Sequence, residues 1–158
     1  LQGQEPVNLA SLQKTIHAIN LEKGWHAKPL REKSPPDHGA YYVHTDRVLA
    51  KLALVHSELS EASVEAQHER WATWYLEEKP DKPEGYAIEI ADACIRVLDT
   101  CEALGLKLVG GDPSLAVPPT LLRLHERVSD AVEATRVGDF EVFRMSCERF
   151  IDLADRLL

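Results

Sequence analysis

Strand signals are nearly absent from this chain of 158 residues, which sets aside sandwiches, barrels and sheet-based α/β folds. Basic blocks are missing too. Lys and Arg number 18 against 26 Asp and Glu, a net charge of −8, whereas a nucleic-acid surface would show a basic patch. No nucleic-acid partner is expected. No apolar run approaches the roughly 20 residues of a membrane span, and the opening residues lack a basic-then-apolar leader pattern, so no membrane association is expected. Cysteine is scarce. Cys94, Cys101 and Cys147 form an odd set without framework spacing, which points to buried free thiols in a reducing, cytoplasmic setting.

What is present is helical patterning. Hydrophobic residues make up 44% of the chain, enough for one packed domain over residues 1–158. A first helix is expected after Asn8, an N-cap residue type, with Leu9, Leu12, Ile16 and Ile19 on its apolar face and Gly24 closing it. A loop with Pro29, Pro35, Pro36 and Gly39 follows. Thr45 or Asp46 then caps a long helix to about Tyr75, striped by Val48, Leu52, Val55, Leu59 and Ala62. "EEKPDKPEG" breaks it. A third helix is expected from about Glu84 to Leu104, closed by Gly105. A fourth runs from Thr120 to about Val137, and a fifth follows the Gly138-Asp139 turn. The expectation is an all-α bundle of about five helices.

Acids sit in two places where they are costly. "HSELSEA" sets Glu58 and Glu61 three residues apart, and "IEIADACIRVLD" does the same with Glu89 and Asp92. Residues three apart share a helix face. If the second and third helices pack antiparallel, the two pairs converge. Four carboxylates amid apolar neighbours stay ionised only with a cation among them, and all-oxygen ligation suits Mg²⁺ or Mn²⁺. The plainer alternative is a solvated acidic face. It fits less well, because Glu58 adjoins Leu59 in the stripe and Glu89 and Asp92 are interleaved with Ile88, Ile90, Ala91 and Ile95.

ExxE, a loop holding "KPEG", then ExxD, on two helices between Lys51 and about Gly105, resembles the MazG-like all-α nucleoside triphosphate pyrophosphohydrolase superfamily. The resemblance implies Mg²⁺-dependent cleavage of a (deoxy)nucleoside triphosphate to monophosphate and pyrophosphate. It also implies a house-cleaning role on non-canonical or excess nucleotides such as dUTP or dCTP. Glu58, Glu61, Glu89 and Asp92 become the expected metal ligands and catalytic acids, with Glu61 the expected residue that orients water. Lys51, Arg96 and Lys82 are candidate phosphate contacts, with Lys79 beside Lys82. The alternatives are a salt bridge for Arg96 and simple solvation for the lysines. Trp25, Trp71 and Trp74 are candidate base partners. Trp71 and Trp74 are expected on an extension of the metal-bearing helix, where core packing is the plainer reading. His26, His44 and His56 are not expected to be catalytic, although His56 could support the cluster from behind. Asparagine occurs only at positions 8 and 20, so none is expected to read a base edge beside the acids.

The chain also resembles itself. "LALVHSELSEASVEA" (52–66) aligns with "LLRLHERVSDAVEA" (121–134), and "IEIAD" (88–92) with "IDLAD" (151–155). His56 matches His125, Ser60 matches Ser129 and Glu61 matches Asp130, but Arg127 stands where the first unit has Glu58. Bundle patterning repeating by itself is the alternative. A duplication would make 45–105 the catalytic unit and 120–158 a degenerate copy, as in the fused double units that dimeric-type dUTPases of the superfamily resemble. It would leave one working site per chain, with Arg127, Asp130, Asp152 and Asp155 free to be ordinary surface residues. Ordinary family members dimerise, so a homodimer or higher oligomer is expected, or a monomer if the second unit completes the core. Two other classes compete. A di-metal oxidase would need two Glu-x-x-His motifs and finds one, Glu65 to His68. A non-enzymatic helical interaction module would use the acids as a solvated face.

Overall fold

The computed structural model describes residues 8–33, 41–110 and 118–158. Pro35, Pro36 and Gly39 of the expected first loop, and 111–117 of the later one, lie outside the described residues. Five helices dominate: α1 (Leu9–Glu22), α2 (Thr45–Gln67), α3 (Tyr86–Leu104), α4 (Leu121–Val137) and α5 (Phe140–Asp155). Two short antiparallel hairpins accompany them, β1 (Arg31–Lys33) with β2 (Tyr41–Val43), and β3 (Trp74–Leu76) with β4 (Lys79–Glu84). The fold is an all-α bundle.

Local chemistry explains most helix ends. Asn8 accepts a hydrogen bond from the Ser11 amide at 3.1 Å, Thr120 one from Arg123 at 3.2 Å, and Asp139 one from Val142 at 3.0 Å. Gly105 and Gly138 close α3 and α4 in the left-handed conformation, at φ 70° and 77°. Gly85 has a different task. At φ 125° it starts α3 where an added Cβ would lie 2.6 Å from the Ala72 carbonyl oxygen, so no other residue fits without moving the backbone.

The expected second helix is too long by about two turns. It stops at Gln67, and Glu69 follows at φ 56°, a left-handed turn in a non-glycine residue. Trp74, Tyr75 and Leu76 leave the helix for a strand that pairs with 79–84. Trp and Tyr favour a pleated surface, and Pro80 and Pro83 are tolerated because this two-stranded ribbon is all edge. α2 begins at Thr45 itself, one of the two residues expected to cap it, and the cap position falls on His44, whose side chain makes no capping bond.

Helix α1 also differs from the pattern. Leu12 and Ile19 are 38% and 44% exposed, while Gln13 and Asn20 are buried. Gln13 explains the inversion. Its side-chain nitrogen donates to the Leu106 carbonyl at 2.6 Å and its oxygen accepts from the Leu108 amide at 3.3 Å, which satisfies loop backbone that follows α3. α1 is thus held by polar contacts as well as by Leu9 and Ile16, which pack against the core.

One core joins all of α2 to α5. Val48, Leu52, Val55, Leu59 and Ala62 are fully inside, as their spacing implies, and meet Ile90 and Val97 of α3, Leu124 of α4, and Phe143 and Phe150 of α5. Side-chain pairs fix the direction of α3. Lys51 reaches Asp99, Glu58 reaches Arg96, and Glu61 lies by Glu89, so ascending positions on α2 meet descending ones on α3 and the helices are antiparallel. α2 packs on α4 and α3 on α5. The repeat-equivalent His56 and His125 meet each other, Nδ1 to Nδ1 at 2.8 Å, with rings 5.0 Å apart and 11° from parallel. Mutual contact of aligned residues is what an approximate twofold relation between the two helix pairs would produce. Ser60 and Ser129 repeat one local bond, each hydroxyl donating to the carbonyl of its histidine four residues back, at 2.8 and 3.0 Å. The four-helix core is therefore completed within one chain.

Removing residues 120–158 is expected to abolish cooperative unfolding, because it exposes the apolar faces of α2 and α3. The milder Phe143→Ala should cost about 3–5 kcal/mol in chemical denaturation of the full chain. A truncated chain with an intact unfolding transition would contradict the single-core arrangement.

Candidate functional site

The acid pairs do converge. Glu58, Glu61 and Glu89 each offer a carboxylate oxygen, all within 4.8 Å of one another, and Glu58 and Glu89 are only 7% and 3% exposed. Glu61 is exposed and forms the open side of the cluster. Asp92 stands one turn further along α3, outside that close set but near enough to Glu58 for their charges to interact. The solvated-face alternative does not describe Glu58 or Glu89.

A fifth acid belongs here and was missed. Glu84, the last residue of β4 and the Glu of "KPEG", shares a hydrogen bond with Glu89. Its position in a broken, proline-rich segment gave no periodic signal. Lys82 donates to Glu84 at 2.7 Å and, with that bond as the main cause, Glu84 is held below the ordinary carboxyl range. Glu89 moves the other way, from 4.5 to about 8, pushed first by burial, then by the bond to Glu84 and by the charges of Glu61, Glu84 and Glu58. Glu89 therefore carries the proton and donates it to the charged Glu84. Burial, then the charge of Glu58, raises Asp92 as well.

Arg96 takes the salt-bridge alternative. It contacts one oxygen of Glu58 through Nε at 2.6 Å and through a terminal nitrogen at 2.5 Å. Its guanidinium also lies 6.0 Å from the ring centre of Trp25, which is 48% exposed, so Trp25 is the tryptophan that reaches the acid site. Trp71 and Trp74 do not ride on α2 as expected. Trp71 is 57% exposed, packed edge-on against Tyr86 at 5.0 Å. Trp74 donates its indole N–H to Glu65 at 2.7 Å and lies under Arg70. Those bonds occupy Glu65, and His68, the other end of the Glu-x-x-His motif, is exposed. Lys51 also points elsewhere. It donates to the Trp25 carbonyl at 3.3 Å and lies 3.9 Å from Asp99. Lys82, in β4 rather than in a free loop, does stand near the acids, and the charges of Glu89 and Glu61 help hold its proton. His56 faces His125 on α4 and does not support the cluster; burial first, then the neighbouring ring, lowers its pKa.

Comparisons with family models, with curated proteins and with solved structures find no match for this chain.

The second unit lacks an equivalent cluster among the described residues. Arg127 pairs with Asp130 at 2.8 Å, one turn away, and Asp152 with Arg156 at 3.7 Å. The guanidinium that replaces Glu58's counterpart consumes the nearest acid in its own helix.

A second constellation lies at the other end of α3. His17 of α1 meets Asp99 at 2.8 Å through Nδ1, and His26, from the segment after α1, meets the same carboxylate at 2.7 Å through Nε2. Burial, more than any other cause, lowers the pKa of His26. These three residues lie 73 and 82 positions apart, a separation that leaves no trace in helical periodicity.

The raised Glu89 implies a pH dependence with a definite sign. In the folded, metal-free chain Glu89 binds its proton more tightly than when unfolded. Its contribution to stability is complete below 4.5 and is lost as pH rises through about 8. Thermal melts without divalent cation should therefore fall between pH 5 and 8, and Glu89→Gln should flatten that slope. A slope unchanged in Glu89→Gln would assign it to other groups.

Proposed function

We propose that the chain is a divalent-cation-dependent nucleoside triphosphate pyrophosphohydrolase, with deoxy substrates favoured and a house-cleaning role. The observation that carries the reading is the buried meeting of Glu58, Glu61 and Glu89 across two antiparallel helices, with Asp92 and Glu84 beside them. Buried like charges of this kind are unfavourable without a positive partner, and here one proton and one arginine fill that part. The donor set is oxygen throughout, which fits Mg²⁺ or Mn²⁺. Glu58, Glu61, Glu89 and Asp92 would hold the ion, and Glu89 would give up its proton as the ion enters. Bound there, Mg²⁺ supplies charge neutralisation for the triphosphate and acidifies a coordinated water.

The remaining roles fall to the chain. Glu61, the exposed acid, would orient the water that attacks the α-phosphorus as pyrophosphate leaves. Lys82 can exchange Glu84 for a phosphate oxygen, and Arg96 can do the same from Glu58, since both are long side chains at the rim. Trp25 offers a flat, half-exposed face next to Arg96 for the base.

With Mg²⁺ and a nucleotide panel, chromatography should resolve monophosphate and pyrophosphate. Orthophosphate and diphosphate instead would reject attack at the α-phosphorus. Glu58→Gln, Glu61→Gln, Glu89→Gln and Asp92→Asn should each remove most activity while the helical circular dichroism persists. Asp152→Asn and Asp155→Asn should leave turnover nearly intact. Wild-type turnover in any two of the first four would dissolve the shared site. No product from any nucleotide would favour an interaction role for the exposed aromatics Tyr41, Tyr42, Trp71 and Tyr75.

A further inference from the structure

We infer that His17, His26 and Asp99 form a second metal site, distinct from the carboxylate cluster, that takes Zn²⁺ and ties α1 and the segment after it to α3. The inference does not rest on the pyrophosphohydrolase reading.

Three segments of the chain deliver the donors. His17 comes from the face of α1 that meets α3, His26 from the turn beyond α1, and Asp99 from the third turn of α3 past Glu89. One nitrogen from each ring and one carboxylate oxygen lie mutually within 4.8 Å. The side chains of Asp99 and His26 are 3% and 4% exposed, and that of His17 is 19% exposed, so one side of the group opens to solvent. Two imidazoles and a carboxylate are borderline donors that suit zinc, whereas the oxygen-only cluster suits magnesium. Three protein ligands leave a fourth position for water.

The present contacts are those of a hydrogen-bonded triad, with ring nitrogens 2.7–2.8 Å from Asp99. Zn–N and Zn–O bonds of about 2.0–2.2 Å in a tetrahedron put neighbouring donors about 3.3 Å apart, so each histidine–Asp99 distance needs to open by about half an ångström. Asn20 adds a second observation. It lies on the His17 face, three residues on, is 4% exposed, and its amide nitrogen has no hydrogen-bond partner among the described residues. Lys51 lies 3.9 Å from Asp99 and already donates to the Trp25 carbonyl, so it can turn fully to that carbonyl when the ion enters.

The placement makes mechanical sense. α1 buries Gln13 and Asn20 where a helix of this length would ordinarily bury leucine, and it leaves Leu12, Ile19 and Leu21 exposed. Leu9 and Ile16 are its apolar contacts with the core, and a coordinate cross-link would add to them, because binding free energy at a site absent from the unfolded chain adds directly to stability.

The test uses the full, metal-depleted chain with excess Mg²⁺ present, titrated calorimetrically with Zn²⁺ alone. One Zn²⁺ should bind per chain and raise the melting temperature. Co²⁺ in its place should give the visible d–d bands of a four-coordinate nitrogen–oxygen site. His26→Gln and His17→Gln should weaken Zn²⁺ by more than the roughly 10–100-fold that loss of an outer hydrogen-bond partner costs at a metal site. Glu61→Gln should leave it unchanged. If His26→Gln fails to fold, His17→Gln, at the more exposed ligand, carries the same test. Absence of saturable Zn²⁺ binding would overturn the site, as would binding indifferent to both histidines or lost in Glu61→Gln. Loss of nucleotide hydrolysis with Zn²⁺ binding retained would instead remove the pyrophosphohydrolase reading and leave this one standing.

Discussion

Burying Glu58 and Glu89 where α2 meets α3 is the constraint around which this molecule is organised. Carboxylates in that position cannot all remain charged without a compensating cation or proton. The chain supplies both in part. Arg96 grips Glu58 directly, and Glu89 keeps a proton that it shares with Glu84, itself held charged by Lys82. Glu58 comes from α2, Glu89 and Arg96 from α3, and Lys82 and Glu84 from β4, so the acid cluster couples α2, α3 and the β3–β4 hairpin. Gly85 is the hinge of that coupling, since only its missing Cβ lets β4 hand over to α3 against the Ala72 carbonyl.

The second half of the chain answers a different need. An isolated α2–α3 pair would expose a continuous apolar stripe, and α4 and α5 cover it with Leu124, Phe143 and Phe150. The helices whose sequences align also pack on each other, α2 on α4 and α3 on α5, and His56 meets its aligned counterpart, His125. The polar residues differ. Arg127 stands at the position aligned with Glu58 and pairs with Asp130. A bundle can keep its packing pattern while losing its polar site, since the core depends on volume and the site on individual atoms.

α1 behaves as an attachment to this bundle. Gln13 serves the loop after α3, and His17 and His26 serve Asp99. Lys51 and Trp25 join the same end, so the half-exposed indole, the guanidinium of Arg96 and the acid cluster form one continuous surface.

The local part of this organisation was legible in the residues themselves. Helical periodicity marked the stripe Val48, Leu52, Val55, Leu59 and Ala62, and all five are buried. Asn8, Thr120 and Asp139 marked helix starts because capping acts within three residues. Three-residue spacing puts Glu58 and Glu61 on one face of α2, and that face meets Glu89 of α3, while Asp92 stands outside the close group. Contacts between distant segments were decided only in three dimensions. Trp71 and Trp74 left α2 because pairing with 79–84 outweighed a weak helical continuation. Glu84 joined the acids through the register of a proline-containing hairpin, and Arg96 chose Glu58 over open solvent. The His17–His26–Asp99 group needed α1 to fold back on α3 across more than seventy residues, and no periodicity in the sequence records which chain segments tertiary packing brings together.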